Sequence, residues 1–546
     1  MGQSLSLDEV MRAERVAFTY LGENEPALEE CSFCILRGSV TLIAGGNGSG
    51  KTTLCKLLAG AMQPYEGTVR GTIDSAAAHV DSSPLVGFVL QEADEQFVIG
   101  TVEDELAFAP ENLGLPRDVI GKRVEEQLRR ASLTSLRHRQ VHQLSGGEKQ
   151  RTAVASVLTL EPDILIMDDA WSHMDAPARR QLDKSLQAWH QAGRTLILAV
   201  SRLDEMDWNW LDNAQLLLLH DRRIAFDGHL AEGLRYGQTE KSVTEDDFAY
   251  PNLVSLCRKA GVLPSGPVPI QLQDSLVSDC AAPKCTTKSA CPSDAAGALL
   301  QVCELDFRYR LGAHSRSSRD YALHSISFQL LQGQCVILHG LNGSGKSTLF
   351  RILTGGMPPK AGYTSGTVML EGRPFSQWST YDLAERIGFV AQHPENGLFA
   401  DTVEEEIRDA VLMAQRSGRS CHDAGDGLMT SQALDKQVET WLEHNDLSSV
   451  RHLHPHDLPT GAKRLLSLTL AVIHDPPILL LDEPTAALDA RHAEAVRDWC
   501  LAQAEKGRAL IVATHDPMWD QVRHSSMRQA YMDEGRFTEV VQKAPF

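Results

Sequence analysis

At 546 residues the chain is too long for one ordinary core and calls for two or three domains. Hydrophobic residues make up 42% and charged residues 23%, a globular balance, and no apolar run nears the roughly 18 residues of a membrane span. A net charge of −20 and a pI near 5.4 exclude a protein that holds nucleic acid by neutralising phosphates.

The N-terminus shows no charged region followed by an apolar stretch, so no secretion signal is expected. Eleven scattered cysteines do not make a disulfide framework, and a reduced cytoplasmic setting is expected. Cys31 and Cys34 have CxxC spacing, but Cys31 to Leu36 reads as a strand. There, positions i and i+3 face opposite sides, which spoils chelation and favours structural thiols.

Val40 to Ala44 is an apolar strand running into Gly45-Gly46-Asn47-Gly48-Ser49-Gly50-Lys51-Thr52, followed by Thr53. This is a G-x-x-x-x-G-K-[ST] loop. Its glycines let the backbone curl so that successive N–H groups point at phosphate oxygens, and the next helix adds its positive end. Lys51 would reach the β/γ-phosphates and Thr52 would hold Mg²⁺. A later apolar strand, Ile164 to Asp168, ends in a carboxylate placed to orient Mg²⁺, and Asp169 follows it.

The same order returns downstream, so the chain is a duplication. Residues 1–235 form one unit, 236–297 a linker and 298–546 a second unit. The linker is rich in Ser, Pro, Ala and Cys, with Pro251 to Ala260 reading as a short helix ahead of it. Cys280, Cys285 and Cys291 match no standard metal spacing and read as linker thiols. In the second unit a strand from Cys335 to Leu338 leads to Gly340-Leu341-Asn342-Gly343-Ser344-Gly345-Lys346-Ser347, then Thr348. Lys346 and Ser347 repeat the roles of Lys51 and Thr52. Ile478 to Asp482 repeats the acidic strand, and Glu483 follows as a carboxylate able to polarise an attacking water.

Leu144-Ser145-Gly146-Gly147-Glu148-Lys149-Gln150-Arg151 resembles the signature that sets ABC ATPases apart from other P-loop enzymes. Gln91 and Gln392, each after an apolar strand, resemble the Q-loop glutamines, which in relatives also face Mg²⁺. Thr514-His515-Asp516 resembles the switch-histidine motif, and Ala486-Ala487-Leu488-Asp489 the D-loop. Tyr20 and Tyr309 either stack on adenine or pack within a β subdomain. The resemblance implies an α/β fold of two P-loop NTPase (ABC ATPase) domains in tandem. Each would have a RecA-like core, an antiparallel β subdomain and a helical subdomain, and would bind ATP with Mg²⁺.

ABC ATPases of this kind resemble head-to-tail dimers, each ATP held between one half's P-loop and the other's signature. On that implication the departures gather at one site. The second signature reads Leu458-Pro459-Thr460-Gly461-Ala462-Lys463, with Pro where a serine hydroxyl would meet the γ-phosphate. The first half has Asp169 for Glu, Ala170-Trp171 for Pro-Thr, and Val200-Ser201-Arg202 where the switch histidine would fall. Lys346, Ser347, Gln392, Asp482, Glu483 and His515, with Ser145, Gly146 and Gly147, would make the consensus site. One hydrolytic site and one slow or silent site are therefore expected, with Glu483, His515 and Gln392 as the catalytic residues.

The stretches from Gln91 to Phe97, Thr101 to Phe108 and Glu111 to Pro116 look like the ATPases of energy-coupling factor (ECF) transporters. Gln392 to Phe399 and Thr402 to Ile407 echo them. Glu92-Ala93 in place of the more usual Asn-Pro, and a loose insertion from Arg416 to Ser431, depart from that pattern. The resemblance implies import of a vitamin, a vitamin precursor or a transition-metal ion. The partners would be a membrane scaffold (T-type) subunit and a small substrate-binding membrane subunit, at the cytoplasmic face of the membrane. No nucleic acid and no direct contact with the cargo are implied. His452, His454 and His456 read as solvated loop histidines, with metal ligation the minor alternative. An ATPase of another ABC transporter class, or a soluble ABC-F-like translation factor, is the alternative reading.

Overall fold

The computed structural model describes residues 8–63, 65–75, 86–172, 174–202, 210–211, 213–233, 298–310, 321–358, 361–416, 431–445, 447–516, 518–519, 524 and 526–540. The linker with its cysteines, the segment from Pro251 to Ala260 and residues 417–430 of the insertion lie outside them. Two compact units account for the chain, Met1–Ala281 with Ala487–Arg491, and Ala282–Ala486 with His492–Phe546.

The first half opens with β1 (Glu9–Tyr20), β2 (Leu28–Leu36), β3 (Val40–Ala44), β4 (Gly67–Ser75) and β5 (Val86–Val89). It continues with β6 (Ile164–Asp168), β7 (Thr195–Val200), β8 (Gln215–His220) and β9 (Arg223–His229). Strands β2-β1-β4 pair antiparallel into one sheet, and β5-β6-β7-β3-β8-β9 form the core sheet, parallel except for its final hairpin. Every residue of β3, β6 and β7 is buried. Such continuous apolar runs belong to parallel strands covered on both faces, which need no polar alternation.

The second half repeats this plan with β10 (Ala298–Tyr309), β11 (Tyr321–Leu331), β12 (Cys335–His339), β13 (Gly362–Leu370) and β14 (Arg373–Pro374). After β15 (Ile387–Val390) and β16 (Ile478–Asp482) come β17 (Ala509–Thr514), β18 (Met527–Asp533) and β19 (Arg536–Val540). The sheets are β11-β10-β13-β14 and β15-β16-β17-β12-β18-β19, the second in the same strand order as its counterpart.

Between β5 and β6 lies a helical subdomain. Helices Val102–Asn112 and Arg117–Arg130 bury Val102, Leu106, Val124 and Leu128 with Ala155 of the helix Gly146–Leu158. Its counterpart between β15 and β16 buries Val403, Ile407, Val438 and Leu442 with Leu466. Both halves are α/β with a mostly parallel core, an antiparallel β subdomain and a helical subdomain, as the motifs imply.

Cys31 is buried and Cys34 is half-buried on alternate faces of β2, and burial pushes the Cys31 thiol up to about 11. That suits a packing role. Cys303 of β10 is disulfide-bonded, an exception to the expectation of reduced cysteines throughout.

Candidate functional site

Each phosphate loop leaves the centre of its core sheet, from β3 or β12, and ends on a helix, Lys51–Leu58 or Lys346–Leu353. Gly50 and Gly345 cap those helices in the left-handed region, with φ of 99° and 108°, where a Cβ would be strained. A Cβ on Gly45 would lie 2.5 Å from the Leu219 carbonyl oxygen, and on Gly340 2.5 Å from that of Met532. Asn47, Gly48, Asn342 and Gly343 form the tips of these loops. Lys51 and Lys346 are buried and fold back over them. The Lys51 ammonium donates to the Gly45 and Gly46 oxygens at 2.8 and 3.0 Å, and that of Lys346 to Gly340 and Leu341 at 2.6 and 3.2 Å.

Tyr20 and Tyr309 close the back of each loop. Their phenol oxygens lie 3.0 Å from the hydroxyls of Thr53 and Thr348, and each ring meets Phe18 or Phe307 edge-on at 4.9 Å. The rings stay half-buried, so both readings of these tyrosines, packing and adenine stacking, remain open to them.

Asp168 and Asp482 end β6 and β16, one strand removed from the phosphate-loop strand, with β7 and β17 between. Burial pushes each carboxyl up to about 6, although the Thr52 and Ser347 hydroxyls, hydrogen-bonded to them, pull the other way. Oδ1 of Asp482 is buried without a hydrogen-bond partner. A buried carboxylate oxygen left unsatisfied beside a hydroxyl offers the oxygen donors that a hard divalent cation such as Mg²⁺ would fit. Gln91 and Gln392 come two residues after β5 and β15, the edge strands that pair with β6 and β16.

The next residue separates the halves. Asp169 and Glu483 share an unusual backbone, with φ of 47° and 48°, and their amides donate to the Ala199 and Ala513 oxygens. Glu483 accepts from the His515 backbone amide at 3.3 Å, its Oε1 lies 2.8 Å from His515 Nδ1, and Lys346 Nζ stands 3.8 Å away. Burial by itself would raise the Glu483 carboxyl. The charge and hydrogen bond of His515, with Lys346, outweigh it and hold the group below its ordinary value. The Asp169 carboxylate instead accepts the Ser201 amide at 3.3 Å, and among the described residues its buried Oδ2 has no hydrogen-bond partner. Behind it, Trp171 donates its indole N–H to Asp183, where the second half has Thr485 donating to Asp516.

Ser145, Gly146 and Gly147 start the helix Gly146–Leu158, and Glu148 reaches back to accept the Ser145 amide at 2.8 Å in a capping box. The second signature helix, Thr460–Ile473, is capped by Pro459 and has no side-chain cap. Ser145 to Gly147 belong to the first unit and the Glu483 cluster to the second.

Several residues that the motif reading passed over shape the glutamine loops. Glu105 accepts the amides of Val98 and Ile99 at 3.1 and 2.7 Å, and Glu406 those of Phe399 and Ala400 at 2.8 and 2.7 Å. Gln96 bridges Leu90 to Ala153. Arg464 holds the oxygens of Ala391 and Gln392. The repeated glutamate in Thr101-Val102-Glu103-Asp104-Glu105 and Thr402-Val403-Glu404-Glu405-Glu406 was the available signal. In the histidine loop, a His456 ring nitrogen lies 3.2 Å from the Leu398 oxygen and His454 accepts the His456 amide.

Several curated proteins resemble nearly the whole chain. "Putative HMP/thiamine import ATP-binding protein YkoD" of Bacillus subtilis is 28% identical, over 94% of this chain and 88% of its own. "Putative ABC transporter ATP-binding protein SCO2324" of Streptomyces coelicolor is 31% identical, over 93% and 90%. Among solved structures, cbiO1 from Clostridium perfringens, part of the ABC transporter complex cbiONQ, is 27% identical over 46% of this chain and 99% of its own, with a TM-score of 0.37. The family model described as ABC transporter matches twice, at residues 28–172 and 323–486. The chain therefore belongs to the ABC transporter family, as an ATP-binding subunit with two ABC ATPase domains in tandem.

Proposed function

We propose that this ATPase powers import of a micronutrient through an ECF-type transporter, with one hydrolytic ATP site and one that binds ATP but turns it over slowly. The domains would run 1–235 and 298–546, joined by the linker 236–297. The observation that carries the asymmetry is the Glu483–His515 pair, 2.8 Å apart, against Asp169 beside Ser201.

In the hydrolytic half, Glu483 stays ionised at neutral pH and accepts a proton from the attacking water. His515 orients that carboxylate, and Lys346 exchanges its loop oxygens for phosphate oxygens as ATP enters. Tyr309 would stack on the adenine and Gln392 would face the reacting end. A Mg²⁺ ion held by Ser347, Asp482 and Gln392 would draw charge from the β- and γ-phosphates. The slow half would hold nucleotide through Tyr20, Lys51, Thr52, Thr53, Gln91 and Asp168. We infer that each P-loop works with the opposite half's signature, Ser145 to Gly147 serving the second P-loop.

Import is supported by the Q-loop stretches that resemble ECF ATPases and by the printed name of the Bacillus subtilis relative, an HMP/thiamine import protein. Val98 and Phe399, 64% and 86% exposed just beyond the two Q-loops, offer apolar contacts to a scaffold subunit. No described helix is long and apolar enough to cross a membrane, so such partners would carry the spans while this chain sits at the cytoplasmic face. The test is affinity purification of the tagged chain from its host in mild detergent, with mass spectrometry of the partners. A scaffold plus a small multi-span protein carrying a vitamin, precursor or metal ion is the expected result. Ribosomes without membrane proteins would overturn it.

A further inference from the structure

Arg464 stands in the first turns of the second signature helix, yet it is 2% exposed, as deep as the core leucines. Burying a guanidinium is costly unless its donors are met by well-placed acceptors. Nη1 donates to the Ala391 oxygen at 3.0 Å and Nη2 to the Gln392 oxygen at 3.1 Å. These are consecutive carbonyls at the point where β15 becomes the loop carrying the Gln392 side chain. A planar fork on two consecutive carbonyls fixes both the position and the tilt of that peptide.

The first half is built differently. Counting from the start of each signature, Gln150 takes the place of Arg464. Its amide makes one long bond, 3.4 Å, to the Leu90 oxygen, one residue short of Gln91. Its neighbour Arg151 donates away from the glutamine loop, to the Ala131 oxygen at 2.9 Å.

We propose that Arg464 is a positioning residue for ATP hydrolysis, pinning the backbone of Gln392 to the second signature helix so that this glutamine is held ready at the reacting end. The first half leaves Gln91 on a looser tether. The inference rests on the reading that the second-half P-loop, Glu483 and His515 serve the hydrolytic site.

The experiment uses the full chain carrying R464Q, which installs the first half's residue, and R464K. R464Q should lower kcat for ATP about tenfold while KM stays within about twofold, since positioning acts mainly in the transition state. In nucleotide-free protein, hydrogen exchange of the amides of residues 391–398 should quicken about tenfold while the rest of the second half keeps its protection. R464K should recover little of either, because an ammonium lacks the fork. Unchanged kcat and local exchange, or a general loss of protection that leaves kcat untouched, would overturn the proposal. If R464Q does not fold, Q150R is decisive: it should slow exchange at residues 90–96, and no slowing there refutes the clamp. E483Q run alongside separates the two ideas. Hydrolysis surviving E483Q sinks the assignment of the hydrolytic site, whereas the exchange data judge the clamp on its own.

Discussion

Placed side by side, the two phosphate-loop regions share backbone geometry and differ in a few side chains. Asp169 and Glu483 adopt the same left-handed conformation, Asp168 and Asp482 are both pushed up to about 6, and Tyr20 and Tyr309 reach Thr53 and Thr348 at 3.0 Å. The differences fall at the carboxylate, the residue after β7 or β17, and the signature cap. A duplicated fold can thus keep the same loop geometry in both copies while the side chains around the carboxylate diverge.

The comparison breaks most directly at the two carboxylates. Glu483→Gln should cut steady-state phosphate release about 10²- to 10³-fold, the usual cost of a lost transition-state contact, whereas Asp169→Asn should change it less than about twofold. Equal losses would show two working sites. Next comes His515→Ala, for which a fall of about tenfold or more is expected, from loss of the group that orients the base. The sign of its pH dependence is set by burial. Without His515 the desolvated Glu483 carboxyl titrates higher, so the acid limb of the rate profile moves up and the deficit is larger at pH 6 than at pH 8. An unmoved limb would mean that His515 does not govern Glu483.

A smaller effect should be alike in both halves. Asp168 and Asp482 titrate near 6 when folded against an ordinary 3.8, so the folded state holds the proton more tightly. Their charged forms weaken the fold above about pH 6, and the penalty fades as pH falls towards 4. In metal-free, nucleotide-free protein, Asp482→Asn and Asp168→Asn should each stabilise by about 2 kcal/mol at pH 8 and by almost nothing near pH 4, read from thermal melts. A gain in one half alone would show that the two buried aspartates are not equivalent. Smallest is the signature cap. Pro459→Ser should add about 1 kcal/mol by supplying the missing N-cap, and Ser145→Ala should cost about as much.

Local chemistry made much of the site legible. A phosphate loop needs its glycines, lysine and hydroxyl in one contiguous run, and an acidic strand end or a signature is equally compact. Tyr20 and Tyr309 could be singled out but not placed, because the hydroxyls they reach, on Thr53 and Thr348, lie 33 and 39 residues away. Glu105 and Glu406 were visible as part of a repeated stretch, yet acceptors of backbone amides leave no residue-type mark at the donor. Arg464 was legible only as one more residue after a broken motif, since its partners are 72 and 73 residues distant and are backbone oxygens that every residue carries.

The sequence by itself determined the duplication, the strand–loop–helix order of each half, and which copy kept a glutamate and a histidine, because those depend on residue identity and close spacing. Only the tertiary structure decided that Glu483 meets His515 across adjacent strand ends, that its carboxyl sits low despite burial, and that a buried arginine grips the Gln392 peptide. Those outcomes depend on which strands the sheet makes neighbours and how much water it excludes, and neither is written in any local run of residues.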